Sequence, residues 1–224
     1  MILFYNHIAF ADWRCQQPSK LLIDKLKKNS NYLVVEYPNK MREDDHKRWD
    51  IMNQLWDTGE DILMWEASKC PTEQQLEQLA NCKELLCSQL YMGCNKYLTN
   101  FWEWAPECKC QNKDVMFWFN NQHAHQSPST NKFCQISDLG LLRFSKKLQR
   151  QVPADFPRKT RDGQDFMFDV HIFVQWNTTL IHKHQDSVAY RCQGEHTRLF
   201  DAGYSTCNLK ADDALTLKWI KEMQ

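Results

Sequence analysis

The sequence predicts an α+β protein, with a mainly helical N-terminal part that includes short strands and a C-terminal antiparallel sheet built on a hairpin with a covering helix. Three observations favour this class. Amphipathic patterns with helix-capping residues fill much of the first half of the chain. Alternating apolar and polar runs follow after residue 163. The 224 residues are enough to bury a core in one large domain or two small ones.

The N-terminal elements alternate between helical and extended patterns. Residues 18–28 place leucines on one side of a short helix and lysines on the other, and residues 32–36 form an apolar strand. A charged helix is predicted over residues 40–56, and Gly59 closes it. A second strand follows over residues 61–65.

The clearest helical signal covers residues 71–98. Thr72 can act as the N-cap, and Gln75 three residues later completes a capping box. A stripe of leucines continues the pattern and predicts that most of this helix is buried. Cys87 and Cys94 lie beside the stripe, which favours small core residues over metal ligands.

Cysteines and histidines are concentrated in residues 108–134, on both sides of a strand predicted at residues 115–119. One CxC pair precedes this strand and one HxH pair follows it. Because alternate residues of a strand share one side, the two pairs could close a tetrahedral zinc site. Exposed thiols and loop histidines are the competing interpretation, and Cys134 is a substitute ligand. The ligands of this zinc site would be Cys108, Cys110, His123 and His125.

Positive charge is unbalanced between residues 141 and 162. A helix over residues 141–152, followed by an extended arm after Pro153, would present basic side chains to a nucleic-acid backbone, with Lys183 beside them. A solvated helix face and a linker would explain the same pattern. The basic side chains of this segment are Arg143, Lys146, Lys147, Arg150, Arg158, Lys159 and Arg161.

The same segment predicts a domain boundary near residues 153–163, since its prolines favour an extended chain. After the boundary, strands are predicted at residues 188–192 and 197–200 and a last helix at residues 214–223. The chain then divides into three parts, unless these form one continuous domain. They are a mainly helical part at 1–105, the Cys/His and basic segment at 106–162, and the antiparallel part at 163–224.

Residues 166–186 contain two alternating runs joined by a polar turn at Asn177 and Thr178, which predicts a β-hairpin with Phe173 opposite His182. One face would be apolar. A solvated sheet face explains the polar residues of the other face. Alternatively, they could hold a metal ion or perform general acid–base catalysis, because imidazole titrates near neutral pH. The polar face would carry Asp169, His171, His182, His184 and Asp186.

Composition limits the possible function classes. The formal net charge is zero and the sequence pI is about 7.1, so no global field directs the chain to nucleic acid or to a membrane. GxGxxG, GxxxxGK[ST] and GxSxG motifs are missing. No signal peptide or membrane-length apolar run is found, which favours an intracellular protein, nuclear or cytoplasmic. The ten cysteines would then be thiols or zinc ligands.

Two segments resemble the foamy retrovirus transactivators. They are PTEQQLEQLANCKELLCSQLY at residues 71–91 and LIHKHQ at residues 180–185, in something like the order and separation of that family. The resemblance implies a nuclear viral protein that binds DNA and activates viral promoters. It agrees with the basic segment and with cysteine and histidine usage suited to a structural zinc.

Three functions are compatible with these patterns. The leading prediction is a nucleic-acid-binding protein, with DNA as its target, that regulates transcription by binding rather than by catalysis. The alternative is a metal-dependent enzyme, either a hydrolase such as a phosphodiesterase or an iron oxygenase, that uses the hairpin aspartates and histidines. The third is a module that binds a protein partner through exposed aromatic residues. No membrane partner is expected.

Overall fold

The computed structural model describes residues 1–7, 13–38, 45–67, 69–91, 99–104, 106, 116–118, 124–138, 140–151, 172–174 and 179–191. The helices are α1 (Trp13–Leu26), α2 (Asp45–Trp56), α3 (Glu73–Ala80) and α4 (Lys146–Gln151). The strands are β1 (Ile2–His7), β2 (Leu33–Pro38), β3 (Ile62–Glu66), β4 (Lys69–Cys70), β5 (Leu86–Tyr91), β6 (Phe101–Trp104), β7 (Met116–Trp118), β8 (Ala124–Gln126), β9 (Phe133–Cys134), β10 (Ile136–Asp138), β11 (Leu141–Phe144), β12 (Ile172–Val174) and β13 (Ile181–Arg191).

The larger sheet has eight strands, and its long strands run mostly in one direction. β1 pairs in parallel with β2 and β3, and a helix connects each successive strand along the chain. β11 lies antiparallel between β3 and β5, and β13 is parallel to β5. The order is β2-β1-β3-β11-β5-β13-β4, with β9 paired to β13 as the eighth strand.

Both faces of this sheet are buried. Leu3 and Phe4 are neighbours on β1 but belong to two separate hydrophobic clusters, as the two-residue period of a strand requires. The cluster around Phe4 includes Trp56 of α2 and Leu148 of α4. The sheet is therefore a middle layer between helices. The cluster around Leu3 includes Leu22, Ile23 and Leu26 of α1 and Leu76 and Leu79 of α3.

A polar network joins the larger sheet to a smaller antiparallel sheet of order β7-β12-β10-β6-β8. Its centre is the Asn100 amide, which donates to Ser88 Oγ at 3.1 Å, to the Gln89 carbonyl at 3.0 Å and to Ser137 Oγ at 3.2 Å. Asn100 Oδ1 accepts from the Tyr91 N–H at 3.0 Å. Since all five residues are buried, these bonds satisfy polar groups that water does not reach.

A buried ion pair connects the end of β3 to the start of β4. Glu66 Oε1 lies 3.0 Å from Lys69 Nζ, and the two side chains are 6% and 0% exposed. The Lys69 ammonium also lies 5.1 Å from the centre of the Tyr91 ring, a cation–π distance. Gly140 packs closely against this pair. A Cβ at this position would lie only 2.4 Å from Lys69 Cε. Only glycine lets the backbone approach so closely.

A second ion pair lies at the start of β3. The Arg143 guanidinium donates to the Asp61 carboxylate at 2.9 Å and to the Glu84 carbonyl at 3.0 Å. Burial alone would raise the pKa of Asp61, but hydrogen bonds from the Lys146 backbone N–H and from Arg143 outweigh burial and lower that pKa below its usual value. The carboxylate therefore stays ionised and links β11 and α4 to β3.

The structure confirms the α+β class and several predicted elements. β2, β3 and β7 match predicted strands, and α2 matches the second half of the charged helix. Gly59 adopts a positive φ of 69° just after that helix. Thr72 and Gln75 form both hydrogen bonds of the capping box. Within the described part of the chain, no helix has the length and apolar character needed to cross a membrane.

The helix predicted over residues 71–98 is wrong over residues 81–91, and residues 92–98 lie outside the described residues. α3 ends at Ala80 with Asn81 as its C-cap, and the chain continues as β5 from Leu86. β5 is almost entirely buried, since it lies between β11 and β13 in a sheet covered on both faces. Such a strand lacks the polar alternation that distinguishes it from a buried helix. For the same reason the helix predicted over residues 141–152 starts only at Lys146, after the buried strand β11.

The predicted hairpin pairing is also wrong. β12 pairs with β7 and β10 in the smaller sheet, whereas β13 pairs with β4, β5 and β9 in the larger sheet. Phe173 consequently lies opposite Phe117 and Asp138 rather than His182. β13 is one continuous strand as far as Arg191. The strand at residues 197–200, the helix at 214–223 and the domain boundary at 153–163 fall outside the described residues.

Candidate metal centre

Two cysteines and two histidines meet where the end of α3 passes over β5 and β13. Cys82 follows the C-cap of α3, and its backbone N–H donates to the Leu79 carbonyl at 3.2 Å. Cys87 is on β5, opposite His182 in the parallel register of β13, and His184 is two residues further along β13. Because side chains repeat every two residues in a strand, both histidines share the face of Cys87.

The potential ligand atoms are close together. One ligand atom each from Cys82, Cys87 and His184 lies within 4.8 Å of the other two. His182 Nδ1 lies 3.5 Å from Cys82 Sγ, and the rings of His182 and His184 are 4.9 Å apart and nearly perpendicular. The group Cys82, Cys87 and His184 could therefore hold a metal ion, with His182 beside it.

Burial differs across this group. Cys87 is fully buried, whereas Cys82, His182 and His184 are each partly exposed. His182 packs against the Phe133 ring of β9 at a centroid distance of 5.3 Å. His184 Nε2 is buried and has no hydrogen-bond partner among the described residues. A buried nitrogen without a partner is costly, and a bound metal ion is one way to satisfy it.

The two thiols titrate very differently. A hydrogen bond from Cys87 is the main cause that lowers the pKa of Cys82 to about 3; burial opposes it, and His184, the Glu84 backbone and His182 assist. Burial and the same hydrogen bond raise the pKa of Cys87 well above its usual value. The pair therefore shares one proton, with the thiolate on Cys82, and a metal ion would displace the proton of Cys87.

The cationic side chain of Arg143 acts on Cys87 of this pair. It lies opposite Cys87 in the register of β11 and β5. Its charge and a hydrogen bond act to lower the pKa of Cys87, although they do not overcome burial. Arg143 therefore favours the thiolate form of Cys87 that a metal ion requires.

Two other residues predicted for a metal or catalytic site, Asp186 and His125, are described, and neither belongs to this group. Asp186 follows on β13 and is exposed. His125 is exposed on β8, opposite Glu103. Residues Cys108, Cys110, His123, Asp169 and His171 lie outside the described residues.

The residues predicted to bind nucleic acid fall into three groups. Arg143 is buried in its ion pair, and Lys183 is buried with Nζ donating to Ser127 Oγ at 3.2 Å and to the Pro128 carbonyl at 2.7 Å. Both are used inside the fold. The exposed group on α4 is Lys146, Lys147 and Arg150. The group outside the described residues is Arg158, Lys159 and Arg161.

Cys82 and Cys87 are the site residues that the sequence patterns did not reveal. Four residues separate them, which is within the spacing common for structural zinc ligands. That signal was present, but the predicted continuous helix placed Cys87 among core residues. Cys70, Cys82, Cys87 and Cys134 are free thiols.

A scan against models of known protein families gives no match, and no curated protein matches the sequence. The candidate metal centre therefore rests on its geometry.

Proposed function

We propose that the protein binds one zinc ion through Cys82, Cys87, His184 and His182. The observation that carries the proposal is the convergence of two sulfurs and an imidazole nitrogen within 4.8 Å, contributed by segments about a hundred residues apart. His182 Nδ1 at 3.5 Å from Cys82 Sγ supplies the fourth donor.

The donor set favours zinc over other common metals. Two thiolates and two imidazoles are a usual tetrahedral zinc shell, whereas magnesium and calcium prefer oxygen ligands. Coordination of zinc by His184 Nε2 would also satisfy this buried nitrogen. Four protein ligands leave no open position, so the role of the ion is structural. It joins the end of α3 and β5 to β13.

The test is the zinc content of the purified protein and of paired variants. We expect about one zinc per chain in the wild type and little in Cys87→Ser or His184→Ala, because each substitution removes a ligand. Cys134→Ala is the matched control: Cys134 is also buried, but it belongs to the hydrophobic cluster on the opposite face of the sheet. Its zinc content should equal that of the wild type.

The variant Cys110→Ser distinguishes zinc bound at this centre from zinc bound by the Cys/His segment at residues 108–125. If zinc is lost from Cys110→Ser and kept in Cys87→Ser, the ion belongs to that segment and the proposal is wrong. Circular dichroism of each variant shows whether a loss of zinc reflects a loss of ligand or a loss of fold.

A second proposed function is binding of a nucleic acid, with DNA as the target, in a regulatory role. It is supported by the three exposed cations of α4, Lys146, Lys147 and Arg150, and by the resemblance to viral transactivators. Arg143 and Lys183 do not contribute to this surface, because both are buried.

Reversing the charge of Lys146 and Lys147 tests this function. In fluorescence anisotropy with a mixed-sequence DNA duplex, Lys146→Glu/Lys147→Glu should weaken binding and reduce the salt slope by about one for each phosphate that is no longer neutralised. The control is Lys20→Glu/Lys28→Glu, which reverses two exposed charges at α1. Equal weakening in both double variants would indicate only a net-charge effect, and unchanged binding in the first would exclude α4 as the DNA-binding surface.

A further inference from the structure

We propose that Cys82 and Cys87 are an oxidation site, at which hydrogen peroxide or an organic hydroperoxide converts the two thiols into a disulfide and so removes both sulfur ligands from the metal centre. The disulfide follows from the positions of the thiols themselves. Only the release of the ion rests on the proposed zinc function.

The two sulfurs lie close together, within 4.8 Å of each other. A disulfide needs the sulfurs to approach to about 2.05 Å. Cys82 lies in the turn between α3 and β5 rather than in a strand ladder, so this segment can supply the movement, while Cys87 is held in the central strand β5.

Exposure gives the two cysteines different roles. Cys82 is partly exposed, so a small peroxide can reach its sulfur, whereas Cys87 is fully buried. Cys82 is therefore oxidised first, and Cys87 reacts second, from inside the protein. This arrangement matches the pairing of an accessible cysteine with a neighbouring resolving cysteine in redox-sensitive proteins.

The chemistry balances with peroxide as the oxidant. The Cys82 thiolate attacks one peroxide oxygen, the O–O bond breaks, and hydroxide leaves, which gives a sulfenic acid. The Cys87 sulfur then attacks the Cys82 sulfur, the S–O bond breaks, and water leaves with the Cys87 proton. Together, the Cys82 thiolate and the Cys87 thiol lose two electrons and one proton, and hydrogen peroxide becomes one hydroxide ion and one molecule of water.

Two buried thiols, Cys70 and Cys134, provide a comparison. Cys70 and Cys134 are each about 1% exposed, Cys70 Sγ lies 3.9 Å from Ser19 Oγ, and Cys134 Sγ donates to the Ile136 carbonyl at 3.4 Å. Neither belongs to the group that brings two sulfurs together. Both should react with peroxide much more slowly than Cys82, since they are buried and hydrogen-bonded.

Peptide mapping of the peroxide-treated full chain tests the proposal. Trypsin cleaves after Lys69, Lys83 and Lys96, so a Cys82–Cys87 disulfide links peptide 70–83 to peptide 84–96, and fragment ions assign the bond to these two cysteines. In Cys87→Ser we expect no such link, and dimedone should instead trap a sulfenic acid on Cys82. Dithiothreitol should reverse the link in the wild type, and Cys134→Ala should behave like the wild type.

Zinc release is followed in the same samples with a chromogenic chelator. If zinc is bound, one zinc should appear for each disulfide formed. A disulfide in a protein that contains no zinc would leave this proposal intact and overturn the zinc function. Bound zinc without a Cys82–Cys87 link, or peroxide reaction confined to other cysteines, would overturn the oxidation site and leave the zinc function intact.

Discussion

Replacing Lys69 with methionine is expected to destabilise the protein by about 3 to 5 kcal/mol, because it leaves the Glu66 carboxylate buried without its ammonium partner. The methionine keeps most of the lysine volume, so the loss reports charge rather than a cavity. Urea unfolding at neutral pH gives the free energy of unfolding, and the slope of the transition shows whether the variant still unfolds in one step.

Two further variants show whether the lost stability comes from an unpaired buried charge. Lys69→Met/Glu66→Gln removes both charges and should recover a large part of the loss, since a neutral buried pair avoids the unpaired charge. Lys25→Met is the surface control, because Lys25 pairs with Glu73 but is 65% exposed, and its loss should stay below about 1 kcal/mol. A loss in Lys69→Met as small as in the control would contradict the burial of this pair.

Asn100→Ala is expected to cost about 2 to 3 kcal/mol, because it leaves several buried partners of the Asn100 side chain unsatisfied at the junction of the two sheets. The same variant removes the acceptor of the Tyr91 N–H. Hydrogen exchange at that amide should therefore accelerate more than at amides in β1, which the network does not touch.

Asn131→Ala is the matched control for this network. Its amide donates to Glu103 at 2.9 Å in an exposed position, so its removal should cost no more than about 1 kcal/mol. Similar losses in the two variants, with unchanged exchange at Tyr91, would mean that the network contributes little to holding the sheets together.

Local signals in the sequence predicted the start of several elements well. The capping box of Thr72 and Gln75 forms because its bonds lie within one helical turn, so distant parts of the chain do not affect it. The end of the same helix was mispredicted. β5 is buried on both faces by elements that come later in the chain, and that environment removes the alternation by which a strand is recognised.

The histidines and the cysteines of the candidate metal centre show the same difference between local and distant signals. His182 and His184 were predicted as candidates, because their alternation on one strand face is a local property. The predicted neighbours of these histidines were wrong, because the sequence favoured a hairpin in which β13 pairs with the strand just before it. The actual parallel partner is β5, about a hundred residues earlier, and a single sequence contains no local signal for such a pairing.

The parallel pairing of β5 with β13 also has a consequence for the order in which the chain folds. Closing a loop of about a hundred residues carries an entropic cost that neighbouring contacts do not, so β13 should join the sheet late. During synthesis, both cysteines leave the ribosome long before His182 and His184 do. A growing chain therefore carries the two thiols without their imidazole partners, and the complete set of donors first exists when β13 reaches the sheet.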